Sequence, residues 1–246
     1  MYLTIQGIVL RITDYNDRDA LLTVLSRNHG KLTIKARGLR RKNSPLIAPC
    51  QLLAYGEFTL FEYRGQYTIN EAHSLELFQP LRRDLTKLSL GTYFAQVAEL
   101  ISQEDLPNPE LQSLLLNCLF ALSKLNITEM QVKTVFELRA ACLAGYTPDL
   151  FGCHICGNQN PDRLDLSAGM LECHSCRSGT GGIRMPVTPS LLDAMRYICY
   201  CDPKKLFGFK TSQETLLHLA DVTEAYLTTQ LERGFSTLDF YKSLLI

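Results

Sequence analysis

The chain has 246 residues, 46% of them hydrophobic and 20% charged, and its 25 Lys and Arg balance 25 Asp and Glu. That apolar share excludes an intrinsically disordered chain, and the length suits one large domain or two modest ones. No apolar run approaches the roughly 20 residues that span a bilayer, and a net charge of zero, taken whole, argues against a nucleic-acid binder.

The opening Met1-Tyr2-Leu3-Thr4-Ile5 lacks the basic and apolar regions of a signal peptide. Residues 1–80 read as about five strands: Leu3 to Ile12, Leu21 to Leu25, Lys31 to Lys35, Gln51 to Tyr63 and Gln66 to Leu77. Asn28-His29-Gly30 and Arg64-Gly65 supply turns between them. Five antiparallel strands with glycine punctuation suit an OB-fold or an SH3-like barrel, which periodicity alone does not separate. From Pro80 the texture turns helical, with Leu90, Phe94, Val97 and Ile101 on one face. Pro107 and Pro109 break the chain before a second helix, Leu111 to Leu125. Thr128 and Gln131 predict a capping box for a third, ended by Gly145 and Pro148. Residues 149–186 read as a loop-like knuckle. Thr188-Pro189 then opens a helix to about Tyr200, Thr211 to Glu214 predicts a capping box for a helix to about Arg233, and Phe235 to Ile246 finishes the chain. The expected architecture is α+β: a barrel over 1–80 and a helical domain over 81–246 with the knuckle inserted.

Nine cysteines is an odd number, which fits a reduced cytosol better than a paired disulfide scaffold. Cys153-x2-Cys156, sixteen residues, then Cys173-x2-Cys176 has the spacing of a four-cysteine zinc site. Two tight turns, eased by Gly157 and Gly179, would bring four thiolates to one metal, with Arg177 and backbone N–H groups offsetting excess negative charge. Such a closed site has no open position for substrate water, so one structural Zn2+ per chain is expected rather than a catalytic ion. Disulfides, free thiols and an iron–sulfur cluster are the alternatives, and a thioredoxin-type centre lacks its βαβ context. His154 and His174 could compete as ligands but read as surface histidines. Cys50, Cys118, Cys142, Cys199 and Cys201 read as ordinary core or near-surface thiols.

The charge is unevenly spread. Residues 1–80 carry ten basic and seven acidic side chains, and residues 81–246 fifteen and eighteen. Between Ala20 and Gly56 no acidic residue occurs, while Arg27, Lys31, Lys35, Arg37, Arg40, Arg41 and Lys42 do. A basic loop with a flexible Gly38, on a barrel bearing aromatics, is a layout for tracking a nucleic-acid backbone. Five phosphate contacts would give a salt slope of roughly −3.5 on single strands and about −4.5 on duplex. A solvated loop is the plainer reading. Tyr55, Phe58, Phe61, Tyr63 and Tyr67 could stack on bases, although most are expected to fill the barrel.

No GxxxxGK[ST], HExxH or GxSxG occurs, and Gly179-Thr180-Gly181-Gly182 follows cysteines rather than a strand. Asp14, Asn16 and Arg18 start like a calcium loop, but Asp19 and Leu25 stand where it needs glycine and glutamate. Nothing specifies a nucleophile or general base, so a non-catalytic protein is expected, and a nuclease lacks its carboxylate cluster.

Four segments occur in one order: the N-terminal strands, the loop Lys35-Ala36-Arg37-Gly38-Leu39-Arg40-Arg41-Lys42-Asn43-Ser44, Phe136-Glu137-Leu138-Arg139 leading to Gly145-Tyr146-Thr147-Pro148-Asp149-Leu150, and Cys153-His154-Ile155-Cys156-Gly157. Together they closely resemble the RecO family of bacterial recombination and repair mediators, over nearly the whole length, and Ala225 through Phe240 looks like that family's last helix. The resemblance implies an OB-fold, a helical domain and a zinc knuckle. It also implies binding to single- and double-stranded DNA, annealing of complementary strands, and cooperation with RecR in loading RecA onto strands coated by single-stranded DNA-binding protein (SSB). A bacterial cytoplasmic, nucleoid-associated location, with no membrane partner, goes with it. The family's basic loop maps onto Lys35, Arg37, Arg40, Arg41 and Lys42, with Arg11 and Lys31 added by proximity. Asn43 stands where some relatives carry proline, which leaves the charge intact. Relatives dock the SSB tail on the helical domain. The competing expectation is a zinc-stapled protein-interaction adaptor that does not bind DNA directly.

Overall fold

A computed structural model describes residues 1–176 and 182–245; Arg177, Gly179, Thr180 and Gly181, named above, lie outside them. The chain divides into two compact units, Met1–Asn126 with Phe235–Ile246, and Ile127–Gly234.

In the first unit, β1 (Tyr2–Asp14), β2 (Ala20–Ser26), β3 (Gly30–Ala36), β4 (Tyr55–Tyr63) and β5 (Gln66–Glu76) close a barrel in the order β1-β2-β3-β5-β4. This is the five-stranded OB-fold arrangement. Its closing contact, β3 beside β5, is parallel, and the other pairs are antiparallel. A register shift between Val9 and Arg11 lets one long strand serve two neighbours: Tyr2 to Ile8 pairs with β4, and Gly7 to Asp14 with β2. Alternation sends Leu32, Ile34 and Ala36 of β3 inward, where they meet Val9, Leu22, Val24, Phe58, Leu60 and Ile69. Residues 51–54, expected to begin the fourth strand, form a turn instead, because Val9 bonds Leu53 N–H (2.8 Å) and Ala54 C=O (3.0 Å) there.

Helices α1 (Gln79–Arg82), α2 (Leu85–Ile101) and α3 (Pro109–Lys124) follow. Asp84 caps α2 and Asn108 caps α3, so Pro109 occupies the first helical position rather than breaking the chain. Gln112 of α3, itself buried, donates from its amide to the Gln6 and Leu25 carbonyls at 3.1 Å each. That satisfies two carbonyls of the barrel wall. The C-terminal helix belongs to this unit too: the Tyr93 ring of α2 meets Phe235 edge-on at 5.5 Å, and Thr237 bonds Gln96.

The second unit holds α4 (Glu129–Leu143), four short strands, α5 (Pro189–Tyr200) and α6 (Gln213–Gln230); the last helix of the chain, α7, is Ser236–Ser243. The stretch from Ala225 through Phe240, read as one helix, therefore spans α6 and α7. The knuckle is more ordered than a loop. Asp149–Cys153 (β6), Arg163–Asp165 (β7), Met170–Glu172 (β8) and Arg184–Pro186 (β9) form a sheet in the order β6-β8-β7-β9. Two expected capping boxes take other forms. Thr128 does accept from Gln131 N–H, but the Gln131 amide donates to the Phe209 carbonyl at 3.5 Å, and α6 is capped by Ser212, not Thr211.

A candidate nucleic-acid interface and a four-cysteine centre

The basic loop leaves β3 at Ala36 and is shaped by short-range bonds. Gly38 has a φ of 69°, a left-handed conformation that glycine takes at little cost. Its N–H donates to Asp19 Oδ1 at 2.8 Å, Arg40 N–H donates to the Arg18 carbonyl, and Arg41 N–H returns to the Gly38 carbonyl. Asp19 is in turn fixed by the β1–β2 turn, where Asn16 Oδ1 accepts from the N–H groups of Arg18 and Asp19. The segment that looked like a failed calcium loop is thus an Asx turn that anchors the basic loop.

The seven cations proposed to meet DNA fall into two groups. Arg40 pairs with Asp14; Lys35 lies 3.6 Å from Asp19 and its ammonium sits 4.3 Å from the centre of the Tyr15 ring. Arg11 is held by both carboxylate oxygens of Glu99 (2.9 and 3.2 Å), and Lys31 donates to the Glu99 backbone carbonyl at 3.1 Å. Arg37, Arg41 and Lys42 are exposed, and none forms an ion pair among the described residues. The sequence reading missed Asp14, Asp19 and Glu99 as partners. Asp14 and Asp19 flank the turn just ahead of the acid-free stretch, a local signal, whereas Glu99 reaches the barrel only through tertiary packing. The Gly38 N–H bond, then the Asn16 amide, with a smaller contribution from Lys35, hold the Asp19 carboxyl below the usual carboxylate range.

Strand register extends this surface. Lys35 pairs with Thr68, Thr68 with Phe61, and Phe61 with Tyr2, a single row across four strands. Tyr2 and Phe61 point outward with ring centres 5.4 Å apart, and Tyr63, two residues further along the same face, is 59% exposed under the Arg64 guanidinium. The expectation that most barrel aromatics fill its interior is corrected: only Phe58 is fully buried, Tyr55 and Tyr67 are half-buried, and Phe61 and Tyr63 are exposed. Outward pleat positions on β4 are the reason.

In the second unit, the Sγ atoms of Cys153, Cys156, Cys173 and Cys176 all lie within 4.8 Å of one another. Cys153 ends β6, and Gly157, with a φ of 73°, closes its turn through an N–H bond to the Cys153 carbonyl at 2.8 Å. A short 3-10 turn at His174–Cys176 brings in the second pair. Tetrahedral bonds of about 2.3 Å place sulfurs roughly 3.8 Å apart, and Cys156 and Cys173 Sγ are 3.9 Å apart. The donor set therefore fits a four-coordinate metal ion. The Cys156 N–H, backed by that of Ile155, brings the Cys153 thiol down to about 6 against burial, and Asn158 donates to Cys173 Sγ at 3.2 Å. His154 Nδ1 lies 3.1 Å from the Leu171 carbonyl and both histidines are exposed, so neither adds to the four-sulfur cluster. Beside it, the Arg184 guanidinium bridges Glu172 and Asp165. No helix among the described residues is long and apolar enough to cross a membrane.

Comparison with known proteins agrees with the ordered motifs. The family profile "Recombination protein O N terminal" matches residues 1–78, and "Recombination protein O C terminal" matches residues 82–239. The DNA repair protein RecO of Acetivibrio thermocellus is 33% identical over 99% of this chain and 97% of its own. The proteins of the same name from Alkaliphilus metalliredigens (29%, covering 99% of this chain and 100% of its own) and Bacillus subtilis (28%, 90% and 86%) are similar throughout. With both halves matched in order, the chain belongs to the RecO family of DNA repair and recombination proteins.

Proposed function

We propose that this protein is a non-catalytic mediator that binds single- and double-stranded DNA through its barrel and anneals complementary strands. The observation that carries this reading is the set of exposed cations Arg37, Arg41 and Lys42, without an ion pair among the described residues, in the loop that follows Lys35, whose strand register runs on to the outward rings of Phe61 and Tyr2. Electrostatic capture of phosphates needs only such cations, and neutralising two strands lowers their mutual repulsion. Lys35, Arg40, Arg11 and Lys31 complete the proposed contact set once their carboxylate or carbonyl partners give way to phosphate. Tyr2, Phe61 and Tyr63 offer stacking surfaces to bases. With RecR, the protein would load RecA onto strands coated by SSB, acting in the bacterial cytoplasm on the nucleoid.

The four cysteines are proposed to hold one structural Zn2+. The ion would supply a closed four-thiolate tie and no reactive coordination position. Cys153 and Cys156 would fix the end of β6, and Cys173 and Cys176 the turn after β8.

A salt-titrated binding assay on single-stranded and duplex DNA tests the interface. Three cations without an ion pair among the described residues predict a slope of about −2 on single strands and about −3 on duplex, steeper if paired cations are recruited. The Arg37→Ala, Arg41→Ala, Lys42→Ala triple variant should bind weakly with a flattened slope; unchanged affinity at low salt would overturn the loop assignment. The competing reading, a zinc-stapled adaptor, draws on the internal engagement of Lys35, Arg40, Arg11 and Lys31. It expects no strand binding at physiological salt.

A further inference from the structure

Cys142 and Cys199, two of the thiols expected to be ordinary, face each other. Cys142 lies in the last turn of α4 and Cys199 in the last turn of α5, 57 positions apart, with their sulfurs 3.7 Å apart and sharing a hydrogen bond. The geometry is held from outside the pair: Arg139, one turn before Cys142, donates to the Cys199 carbonyl at 2.5 Å. Cys142 is partly accessible and Cys199 is buried. We propose that Cys142 and Cys199 form a reversible, oxidant-driven disulfide that ties α4 to α5 and encloses the four-cysteine knuckle, residues 149–186, in one covalent loop.

The roles of the two sulfurs differ. Hydrogen bonding with Cys199, then with Thr147, and the charge of Arg139 hold the Cys142 thiol below its usual range against burial, while Cys199 is pushed up. Cys142 is therefore the thiolate that meets the oxidant and Cys199 the resolving thiol. With hydrogen peroxide, the Cys142 sulfur attacks one oxygen and the O–O bond breaks. The sulfur is oxidised to sulfenic acid, and the departing hydroxide takes up the thiol proton as water. Cys199 Sγ then attacks that sulfur: the S–S bond forms, the S–O bond breaks, and the hydroxyl leaves as a second water with the Cys199 proton. Two thiols and one peroxide give one disulfide and two waters. A dithiol reductant reverses the step by exchange.

The test treats the full, zinc-loaded chain with hydrogen peroxide, digests it without reduction and maps linked peptides by mass spectrometry. A peptide pair joining Cys142 to Cys199, absent before treatment and lost after dithiothreitol, is expected. In Cys199→Ser, dimedone should label Cys142 as a trapped sulfenic acid, a readout that does not need the disulfide. Cys142 and Cys199 both remaining free to alkylate while knuckle cysteines oxidise would overturn the proposal, as would Cys142 linked only to a knuckle cysteine.

Discussion

The Arg40 guanidinium in the loop after β3 is paired with the Asp14 carboxylate at the end of β1. A loop with no acidic residue of its own thus takes its counter-charge from the neighbouring β1–β2 turn. The pair is exposed, and exposed pairs contribute at most about 1 kcal/mol to stability. Asp14→Asn should leave the fold intact while freeing Arg40 for phosphate. Single-strand affinity should rise, and the salt slope should steepen by about 0.7, the value of one added contact on a single strand. A salt titration of the variant against the parent chain measures both; an unchanged slope would mean that Arg40 already meets DNA, or never does.

Asp19 does a different job, because its carboxylate holds the Gly38 N–H as well as Lys35. Asp19→Ala removes the acceptor that shapes the loop and should weaken binding even though it removes a negative charge. Asp19→Asn keeps an acceptor oxygen and should bind at least as well as the parent. The carboxyl is held below its ordinary value of 3.8, so its anchoring is fully present above that value and is lost as pH falls through the lower folded value. Loop order, followed by amide exchange at Gly38, should therefore persist to a more acid pH than an unperturbed aspartate would allow.

What the sequence disclosed and what it withheld divide along physical lines. The barrel strands, the helix caps at Thr128 and Thr188 and the four metal-type cysteines are local patterns: alternation, a hydroxyl before a helical run, two CxxC turns. The two CxxC spacings pick out the four thiols that converge. Charge partners were not legible. Asp14 and Asp19 meet the basic loop only because β1, β2 and β3 pair in register, and Glu99 reaches Arg11 from a helix 88 positions away. The knuckle strands are three to five residues long, too short for alternation to register. Cys142 and Cys199 looked ordinary because neither has a partner nearby in sequence.

Metal removal should act on the second unit. If the four thiolates hold one zinc ion as proposed, a chelator or Cys156→Ser should release one zinc per chain, and the β6-β8-β7-β9 sheet should lose its amide-exchange protection. Structural zinc sites contribute folding energy directly, so the thermal midpoint of the knuckle should fall. Elemental analysis and exchange mass spectrometry read the two effects; a metal-free chain with a fully protected knuckle would exclude a structural ion.

Stacking and charge separate cleanly by experiment. Tyr63→Ala and Phe61→Ala remove exposed rings and no charge, so they should leave the salt slope unchanged. If the rings stack on unpaired bases, each substitution should weaken single-strand binding by about 1–3 kcal/mol and leave duplex binding nearly unaffected. Equal losses on both substrates would point to a folding defect in β4 instead.

The second unit is also held by a buried ionic cluster. Lys133 of α4 touches Glu137 Oε1 at 2.9 Å and Glu224 Oε2 of α6 at 2.8 Å, and Thr223 donates to Glu137 Oε2 at 2.9 Å. Burial alone would lower the lysine's value, but the attraction of Glu137 and Glu224 outweighs it and raises it, while burial pushes Glu137 up. Lys133→Ala would leave the fully buried Glu137 without its ammonium and should cost about 3–5 kcal/mol, because an uncompensated buried charge remains. Glu137 in the variant should then rise further. A carboxyl whose folded value is raised takes up its proton more readily in the folded state, so the folded variant gains stability relative to the parent as pH falls. Urea unfolding of both chains should show the deficit at its largest near neutral pH and shrinking towards acid. A deficit independent of pH would place the cost in lost packing of the lysine stem rather than in the stranded carboxylate.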